Sequence, residues 1–277
     1  MKQISARSGL LLQNPWNLDE VIGLDHAIAP EYFAQVPALV LQNFRWLLAR
    51  DVYSEGDAQA LYDYIWARKG EMSAAFLGLL RLWLQDELKH YEALRRTYRC
   101  IAGVSYADMN GCFAARVHET QPIERVLRDE FTMLVTLMFD EISSVYSYRR
   151  DLREYYARFD SAVQRVGHHL VQDEGTHFQN AAQVLLQEHS HRLLEVEPLL
   201  QEIAHLENSL QHYYKTFFLD HAQEKFRFPS HFSAVMIQVV LAQLGLGDRP
   251  SAATLRSLWQ WVPDGCDWVP VGAALTR

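Results

Sequence analysis

The chain has 277 residues, of which 49% are apolar, and its formal net charge is −8 with a sequence pI near 5.8. This acidic balance argues against nucleic-acid binding, which needs a basic surface, and no uninterrupted apolar stretch of about 18 residues predicts a membrane span. The sequence also lacks a Gly-rich phosphate loop, zinc-finger spacing and a G-x-S-x-G elbow. Because the apolar run near the start is too short for a secretory signal, we expect a cytoplasmic protein with free thiols at Cys100, Cys112 and Cys266.

Residues 1–29 are predicted to be irregular, with Pro15 and Gly23 as interruptions. From Glu31 onward the apolar residues recur with a spacing of about 3.6, which is typical of amphipathic helices. The predicted helices cover 31–68 with a kink, 71–102, a segment that opens at Thr120–Pro122 and ends within 149–158, 159–188, and shorter stretches near 192–226, 230–244 and 250–261. Residues 103–111 are predicted to be a connection without a helix.

No segment of useful length alternates apolar and polar residues as a strand does. The sequence therefore predicts an all-α fold. No change in composition marks a second domain, so we treat 1–277 as a single domain, with 190–277 supplying additional helices.

A six-residue motif, Gln-Asp-Glu-x-x-His, occurs twice, and a carboxylate precedes each copy by about one helical hairpin. Glu55 lies 32 residues before Glu87, and Glu141 lies 33 residues before Glu174. A four-helix bundle that holds two metal ions needs one Glu from each of two helices and Glu-x-x-His from each of the other two. The predicted ligands are therefore Glu55, Glu87, His90, Glu141, Glu174 and His177.

The shorter pattern Glu-x-x-His also occurs at Glu188/His191 and at Glu202/His205, but without the preceding Gln-Asp and without a matched upstream carboxylate. Glu55 has a competing interpretation as a first-turn carboxylate beside a Ser-x-x-Asp capping box. In that case Asp51 or Asp57 would replace it as a ligand.

Both copies place acidic and imidazole side chains among apolar neighbours, and burial of such groups is costly unless a partner neutralises them. A shared pair of metal ions would do so, and mixed carboxylate and imidazole ligands suit iron, with manganese as an alternative. A metal-bound His commonly donates its second N–H to a carboxylate. We expect Asp173 to orient His90 and Asp86 to orient His177, the alternative being two solvent-facing acids.

With these motifs in this order, the chain resembles the soluble acyl-[acyl-carrier-protein] desaturases, a branch of the ferritin-like di-iron proteins. The resemblance covers residues of about 10–260 and rests on Glu55, Glu141 and the two Asp-Glu-x-x-His segments. It implies a ferritin-like four-helix bundle with extra flanking helices, in which the six predicted ligands hold two irons. The connection between Glu55 and Glu87 is shorter than in the plant members.

The resemblance also implies roles for two residues outside the ligand set. Trp16 lies in a segment like the family's N-terminal Trp segment, so Trp16, Asp173 and His90 would form a path for electrons; the alternative is an ordinary anchor for the N-terminal segment. Ser144 stands where the family commonly has Thr, and its hydroxyl would assist proton delivery. A small side chain that leaves room for substrate is the alternative for Ser144.

The leading hypothesis is an O2-dependent di-iron oxidoreductase that desaturates an acyl chain on acyl carrier protein, with a ferredoxin-type electron donor and a homodimeric assembly implied by the resemblance. An acidic carrier protein would dock on a basic patch, and the alternative for these arginines is a solvated helix face. The candidates are Arg95, Arg96, Arg99, Arg149, Arg150 and Arg153. The alternative functions are a di-iron hydroxylase or oxygenase of a small metabolite or carrier-bound intermediate, and a non-catalytic ferritin-like iron protein.

Overall fold

The computed structural model describes residues 11–210, 219, 221 and 228–258, and within these residues the protein is helical without strands. The described helices are α1 (Leu18–Val21), α2 (Pro30–Gln35), α3 (Ala38–Gly56), α4 (Ala58–Trp66), α5 (Ala74–Ala102), α6 (Tyr106–Ala114), α7 (Glu130–Glu154), α8 (Ser161–Glu188), α9 (Val196–Ser209), α10 (Phe232–Gln243) and α11 (Ala252–Ser257). Short 3₁₀ helices cover Lys69–Glu71, Gln121–Leu127, Tyr156–Arg158 and Ser190–Glu195. The predicted all-α class is confirmed for this part of the chain.

The three longest helices begin at side chains that cap their first backbone N–H groups. Ser73 accepts from the N–H of Phe76 ahead of α5, and Asp129 accepts from the N–H of Thr132 ahead of α7. Asp160 caps α8 in the same way. Such caps satisfy N–H groups that the helix itself cannot pair, and each contributes about 1 kcal/mol. The positions of these caps therefore fix where the long helices start.

Three sequence predictions about the connections differ from the structure. The connection over 103–111 contains α6, which Ser105 caps by accepting from the N–H of Asp108. The segment opened by Pro122 is a 3₁₀ helix, and α7 begins only at Glu130, where Asp129 supplies the cap. The segment 11–29 is irregular except for the single turn of α1. Residues 1–10, Cys266 and parts of the helices predicted over 192–226 and 250–261 lie outside the described residues.

Four long helices pack side by side: α3 lies against α5, α5 against α8, and α8 along α7. Their apolar side chains form two separate clusters. One cluster includes Phe76, Leu137 and Leu185, and the other includes Phe44, Leu94 and Val166. On α5 and α8 the residues between these two clusters are acidic and imidazole side chains that are also buried. The core thus contains a polar layer enclosed by apolar packing at both ends.

The helices of the described residues include none with the length and hydropathy needed to cross a membrane. Cys100 and Cys112 are free thiols, and of these two only Cys112 is exposed.

Gly167 on α8 lies at a close contact with the end of α7 and the 3₁₀ helix that follows it. A Cβ at this position would lie 3.0 Å from Leu152 Cδ1 and 3.0 Å from Tyr156 Cγ. Gly167→Ala is expected to lower the free energy of unfolding by about 1–3 kcal/mol, because overpacking forces these neighbours to shift. Chemical denaturation measures the change. The control is Gly78→Ala on α5, where the nearest atom would lie 3.8 Å away; it should stabilise by about 0.5–1 kcal/mol. Equal effects of the two variants would contradict the packing argument.

Candidate metal centre

All six predicted ligands meet in the polar layer of the core. Glu55 comes from the last turn of α3, Glu141 from the middle of α7, and α5 and α8 each contribute a Glu and a His one turn apart. They form two groups, each with ligand atoms that all lie within 4.8 Å of one another. The groups are Glu55, Glu87, His90 and Glu174, and Glu87, Glu141, Glu174 and His177. Glu87 and Glu174 belong to both groups, so the two groups are adjacent and share two carboxylates.

Both imidazoles present the same ring nitrogen to the carboxylates. His90 Nδ1 lies 3.6 Å from Glu55 Oε2, 3.5 Å from Glu87 Oε2 and 3.7 Å from Glu174 Oε1. His177 Nδ1 lies 3.2 Å from Glu87 Oε1, with Glu141 Oε2 at 3.3 Å and Glu174 Oε2 at 3.4 Å. The two ring centroids are 5.9 Å apart. Each imidazole therefore directs one nitrogen into its own group of carboxylates.

The second ring nitrogen of each His contacts the aspartate that the sequence predicts for it. His90 Nε2 lies 3.0 Å from Asp173 Oδ2, and His177 Nε2 lies 3.4 Å from Asp86 Oδ2. Burial tends to raise the pKa of Asp173, but the bonds from His90, Trp16 and Asn14 outweigh it and hold the pKa at about 2. A carboxylate at Nε2 favours the tautomer whose Nδ1 is a bare acceptor, which is the form that ligates a metal.

Trp16 connects to the same aspartate from the surface side. Its indole N–H donates to Asp173 Oδ2 over 2.7 Å, so Trp16, Asp173 and His90 form a continuous chain of contacts. The Trp16 ring stacks on His169 with 4.6 Å between centroids, and Lys89 Nζ lies 4.7 Å from the indole centroid. These contacts also anchor the N-terminal segment, so the geometry accommodates both interpretations of Trp16.

The four carboxylates are each less than one-tenth exposed, and burial favours the neutral form of a carboxyl group. Glu87 departs from this: burial and repulsion from Glu174 tend to raise its pKa, but its interactions with Glu55, His177 and His90 lower it. Burial, followed by repulsion from Glu87, raises the pKa of Glu55 to about 8. Burial is also the main reason that the pKa of Glu141 lies well above its usual range. Positive charge inside the layer would remove this cost.

Several inward-facing atoms of the layer lack a hydrogen-bond partner within the described part of the chain. They are Glu55 Oε2, both carboxylate oxygens of Glu87 and Nδ1 of His90. Buried polar atoms are rarely left in this state. Two ligand atoms that each lie about 2.0–2.2 Å from one cation can be at most about 4.4 Å apart, and the distances from the two Nδ1 atoms to the carboxylates, from 3.2 to 3.7 Å, fall within this limit. The residues present therefore fit a pair of bound metal ions.

Two further side chains hold the carboxylates in place, and the sequence analysis did not single them out. The Tyr148 hydroxyl donates to Glu55 Oε1, and the Trp83 N–H donates to Glu141 Oε1 over 3.0 Å. Tyr148 lies seven residues after Glu141, and Trp83 lies four residues before Glu87. These spacings put each on the ligand-bearing face of its helix. Helical spacing from the predicted ligands could therefore have identified both.

The alternatives to Glu55 have other partners. Asp51 Oδ1 accepts from Arg50, and Asp57 pairs with Arg116 and His118. Glu55 lies in the last turn of α3, not in the first turn of a helix, so the capping-box interpretation is wrong. The remaining Glu-x-x-His copies, at Glu188/His191 and Glu202/His205, join no potential metal-binding group among the described residues.

Ser144 lies one turn beyond Glu141 and lines a cavity of about 30 Å³ beside the carboxylates. Its Oγ lies 3.0 Å from His221 Nε2, and His221 Nδ1 lies 3.0 Å from Glu207 Oε1. The sequence analysis did not identify His221 and Glu207, because His221 has no fixed spacing to any ligand motif. The described residues that line this cavity are all polar or ionisable: Arg50, Asp51, Ser54, Glu55, Asp140, Glu141, Ser144, Ser147, Tyr148, Asp151, Glu174 and His221.

The arginines considered for partner docking have contacts within the chain. Arg95 pairs with Glu92 and Asn110. Arg96 is buried and bonds to Asp19 and to the carbonyl of Ile22, and Arg99 bonds to the carbonyl of Leu24.

The arginines at the end of α7 differ in exposure. Arg150 is buried and pairs with Asp151, and Arg153 pairs with Glu154. Arg149 lies over the Tyr146 ring. Docking of an acidic carrier protein on these arginines stays a prediction, and Arg149 and Arg153 are the exposed members of the set.

No family model, no curated protein and no solved structure matches this chain. The argument for function therefore depends on the geometry of the buried layer and on the sequence motifs that produce it.

The shared carboxylates should matter most for metal content. Glu87→Ala and Glu174→Ala are each expected to reduce metal content from two ions per chain to nearly none, because each removes a ligand from both groups. Glu55→Ala and Glu141→Ala each remove one ligand from one group and should retain about one ion. Metal analysis after anaerobic loading with Fe(II) measures the difference. The control Glu202→Ala alters the exposed copy of the motif and should bind as wild type does; unchanged metal content in Glu87→Ala and Glu174→Ala would contradict the site.

Metal loading should also stabilise the fold. A ligand that binds only the folded state at 100 times its Kd adds about 2.7 kcal/mol, and the relief of carboxylate repulsion contributes to that affinity. Anaerobic addition of Fe(II) or Mn(II) is therefore expected to raise the Tm of the wild-type protein by several degrees. Differential scanning calorimetry checks this, with the Glu87→Ala/Glu174→Ala double variant as the control. An equal rise in both proteins would indicate non-specific binding.

Proposed function

We propose that this protein is an O2-dependent oxidoreductase that holds two metal ions, foremost iron, in a ferritin-like four-helix bundle. The observation that carries the proposal is the pair of four-residue groups that share Glu87 and Glu174, with one imidazole Nδ1 in each. One Glu from each of two helices and Glu-x-x-His from each of the other two is the ligand arrangement of di-iron carboxylate bundles. Two bound irons would supply O2 chemistry at an unactivated C–H bond.

The overall reaction balances in either of two ways. In desaturation, a CH2–CH2 unit loses two hydrogens, and O2 takes these together with two electrons and two protons to give two waters. In hydroxylation, one oxygen atom enters a C–H bond, and the other leaves as water with two protons and two electrons. Both reactions need an external electron donor, which we propose to be of the ferredoxin type.

The protein's own residues orient, insulate and connect the site. Asp173 and Asp86 fix the two imidazoles, and Tyr148 and Trp83 hold Glu55 and Glu141 by single hydrogen bonds. The apolar clusters at both ends of the layer keep bulk water from the carboxylates. Trp16 links the surface to His90 through Asp173, which suits the entry of electrons.

Desaturation of an acyl chain on acyl carrier protein is the first candidate, as the motif resemblance suggests. A small apolar cavity of about 10 Å³ supports it, because Trp83 both lines this cavity and donates a hydrogen bond to Glu141. The described lining contains only apolar and aromatic side chains: Leu61, Ile65, Phe76, Leu80, Trp83, Met133 and Leu137. Opening of this cavity would give an alkyl chain a path toward the carboxylates, and the exposed end of α7 near Arg149 would meet the acidic carrier protein.

Hydroxylation of a small metabolite is the second candidate. The polar cavity beside Ser144 favours it, because hydrogen-bonding walls suit a small polar molecule better than a hydrocarbon.

Mass spectrometry of products after aerobic turnover with a reductant separates the candidates. Incubation with acyl-carrier-protein substrates is expected to give a product that has lost the mass of two hydrogens. A product that has gained the mass of one oxygen would favour the hydroxylase. Glu87→Ala should form neither product. Iron uptake and oxidation without any substrate turnover would favour a non-catalytic ferritin-like iron protein and would contradict the proposed oxidoreductase.

Substitutions at Asp173 and Trp16 should have different effects, the first on metal binding and the second on electron delivery. Asp173→Asn is expected to lower metal affinity or activity by about 10- to 100-fold, since Asp173 orients a ligand.

Trp16→Phe keeps an aromatic ring but loses the bond to Asp173. It should slow reduction by a ferredoxin while leaving metal content and reduction by dithionite unchanged. Stopped-flow spectroscopy measures both rates, with Trp66→Phe as the control; equal ferredoxin rates in Trp16→Phe and wild type would contradict the path.

A further inference from the structure

Three polar side chains from separate parts of the chain form a row that ends at the polar cavity. Glu207 lies on α9, His221 follows α9, and Ser144 lies on α7. Glu207 Oε1 is 3.0 Å from His221 Nδ1, and His221 Nε2 is 3.0 Å from Ser144 Oγ. The side chains of His221 and Glu207 are only 5% and 1% exposed, so these two members are enclosed by protein, whereas Ser144 is partly exposed.

The hydrogen-bonding capacity of the three groups determines which atom donates in each contact of the row. A carboxylate only accepts, so Glu207 selects the His221 tautomer with the proton on Nδ1. Nε2 is then an acceptor, and the Ser144 hydroxyl donates to it. When His221 takes up a second proton, Nε2 donates to Ser144 Oγ, and the hydroxyl proton turns toward the cavity. Protonation of one imidazole therefore converts Ser144 from an acceptor to a donor at the cavity wall.

The same row also resembles an activated serine nucleophile, but its setting does not suit that role. Ser144 lies in the middle of α7, where backbone N–H groups bond to carbonyls one turn earlier. Acyl transfer needs free backbone donors beside the serine to stabilise an oxyanion, and a mid-helix position has none to offer. Proton transfer needs only the row itself.

We propose that Glu207, His221 and Ser144 form a proton relay that delivers protons to the cavity beside the carboxylate layer. The inference rests on the proposed function, because each turnover of O2 with two electrons consumes two protons from solvent. Ser144 is the member that faces the reacting centre, and His221 is a positioning residue that supplies its proton. Asp140 also lies beside the ring: its Oδ1 is 3.8 Å from His221 Nδ1 and accepts from the N–H of Leu219.

The relay is tested by the rate at which the Fe(II)-loaded protein reacts with O2 in stopped flow, in H2O and in D2O. His221→Gln and Ser144→Ala are expected to slow the reaction on the order of 100-fold, in keeping with general acid catalysis, and to alter the solvent isotope effect. Ser144→Thr retains a hydroxyl and should recover most of the rate. Iron content and circular dichroism establish that each variant is folded and loaded.

His189→Gln is the matched control. His189 Nε2 lies 3.0 Å from Glu130 Oε1, so this variant removes a His–Glu pair of similar geometry that does not line the cavity. It should react at the wild-type rate. A wild-type rate and isotope effect in His221→Gln would overturn the relay while leaving the oxidoreductase proposal intact. A wild-type protein that reacts with O2 no faster than Glu87→Ala/Glu174→Ala would instead overturn the proposed function, and the relay with it.

Nitrogen NMR gives a readout that does not depend on activity. In ¹⁵N-histidine-labelled protein loaded with diamagnetic Zn(II), the His221 signals should show the Nδ1-protonated tautomer near neutral pH. Glu207→Gln can donate as well as accept, so it should shift the tautomer balance, whereas Glu130→Gln should not affect His221. An Nε2-protonated His221 in the wild-type protein would contradict the relay.

Discussion

The structure depends on the burial of four carboxylates and two imidazoles in one layer of an otherwise apolar core. Removing a single ion from water costs several kcal/mol even after relaxation, and here the carboxylates also repel one another, as the raised pKa of Glu55 reflects. Hydrogen bonds from Tyr148 and Trp83 offset part of this cost. Two divalent cations would balance four ionised carboxylates, so this cluster could hold a pair of metal ions.

The surroundings of this layer differ in polarity from one side to another, and these differences match the needs of the proposed reaction. On one side, Trp83 bonds to Glu141 and also lines a small cavity with apolar walls. On another, Ser144 and His221 border a polar cavity suited to protons. Electrons would enter through Trp16 and Asp173, on the Nε2 side of His90. Substrate, protons and electrons would therefore reach one centre by separate routes.

The N-terminal segment is part of the site because long-range contacts hold it against α5 and α8. Arg96 bonds to Asp19 and to the carbonyl of Ile22, and Asn180 bonds to the backbone of Leu12. Trp16 is thereby fixed over the Asp173 carboxylate. On α5, Arg96 bonds to Ile22 and Arg99 to Leu24, and these partners lie 74 or more residues away in the chain, so they become visible only after folding.

The sequence by itself determined the helical class and the two Glu-x-x-His pairs that contribute to the layer. Both follow from short-range periodicity, since Glu87 and His90, like Glu174 and His177, share a helix face whatever the rest of the fold. Tertiary structure alone decided that Glu55 joins the layer while Asp57 pairs with Arg116 and His118. It also brought His221 and Glu207 to Ser144. Such contacts join distant segments through packing, and no local spacing in the sequence encodes them.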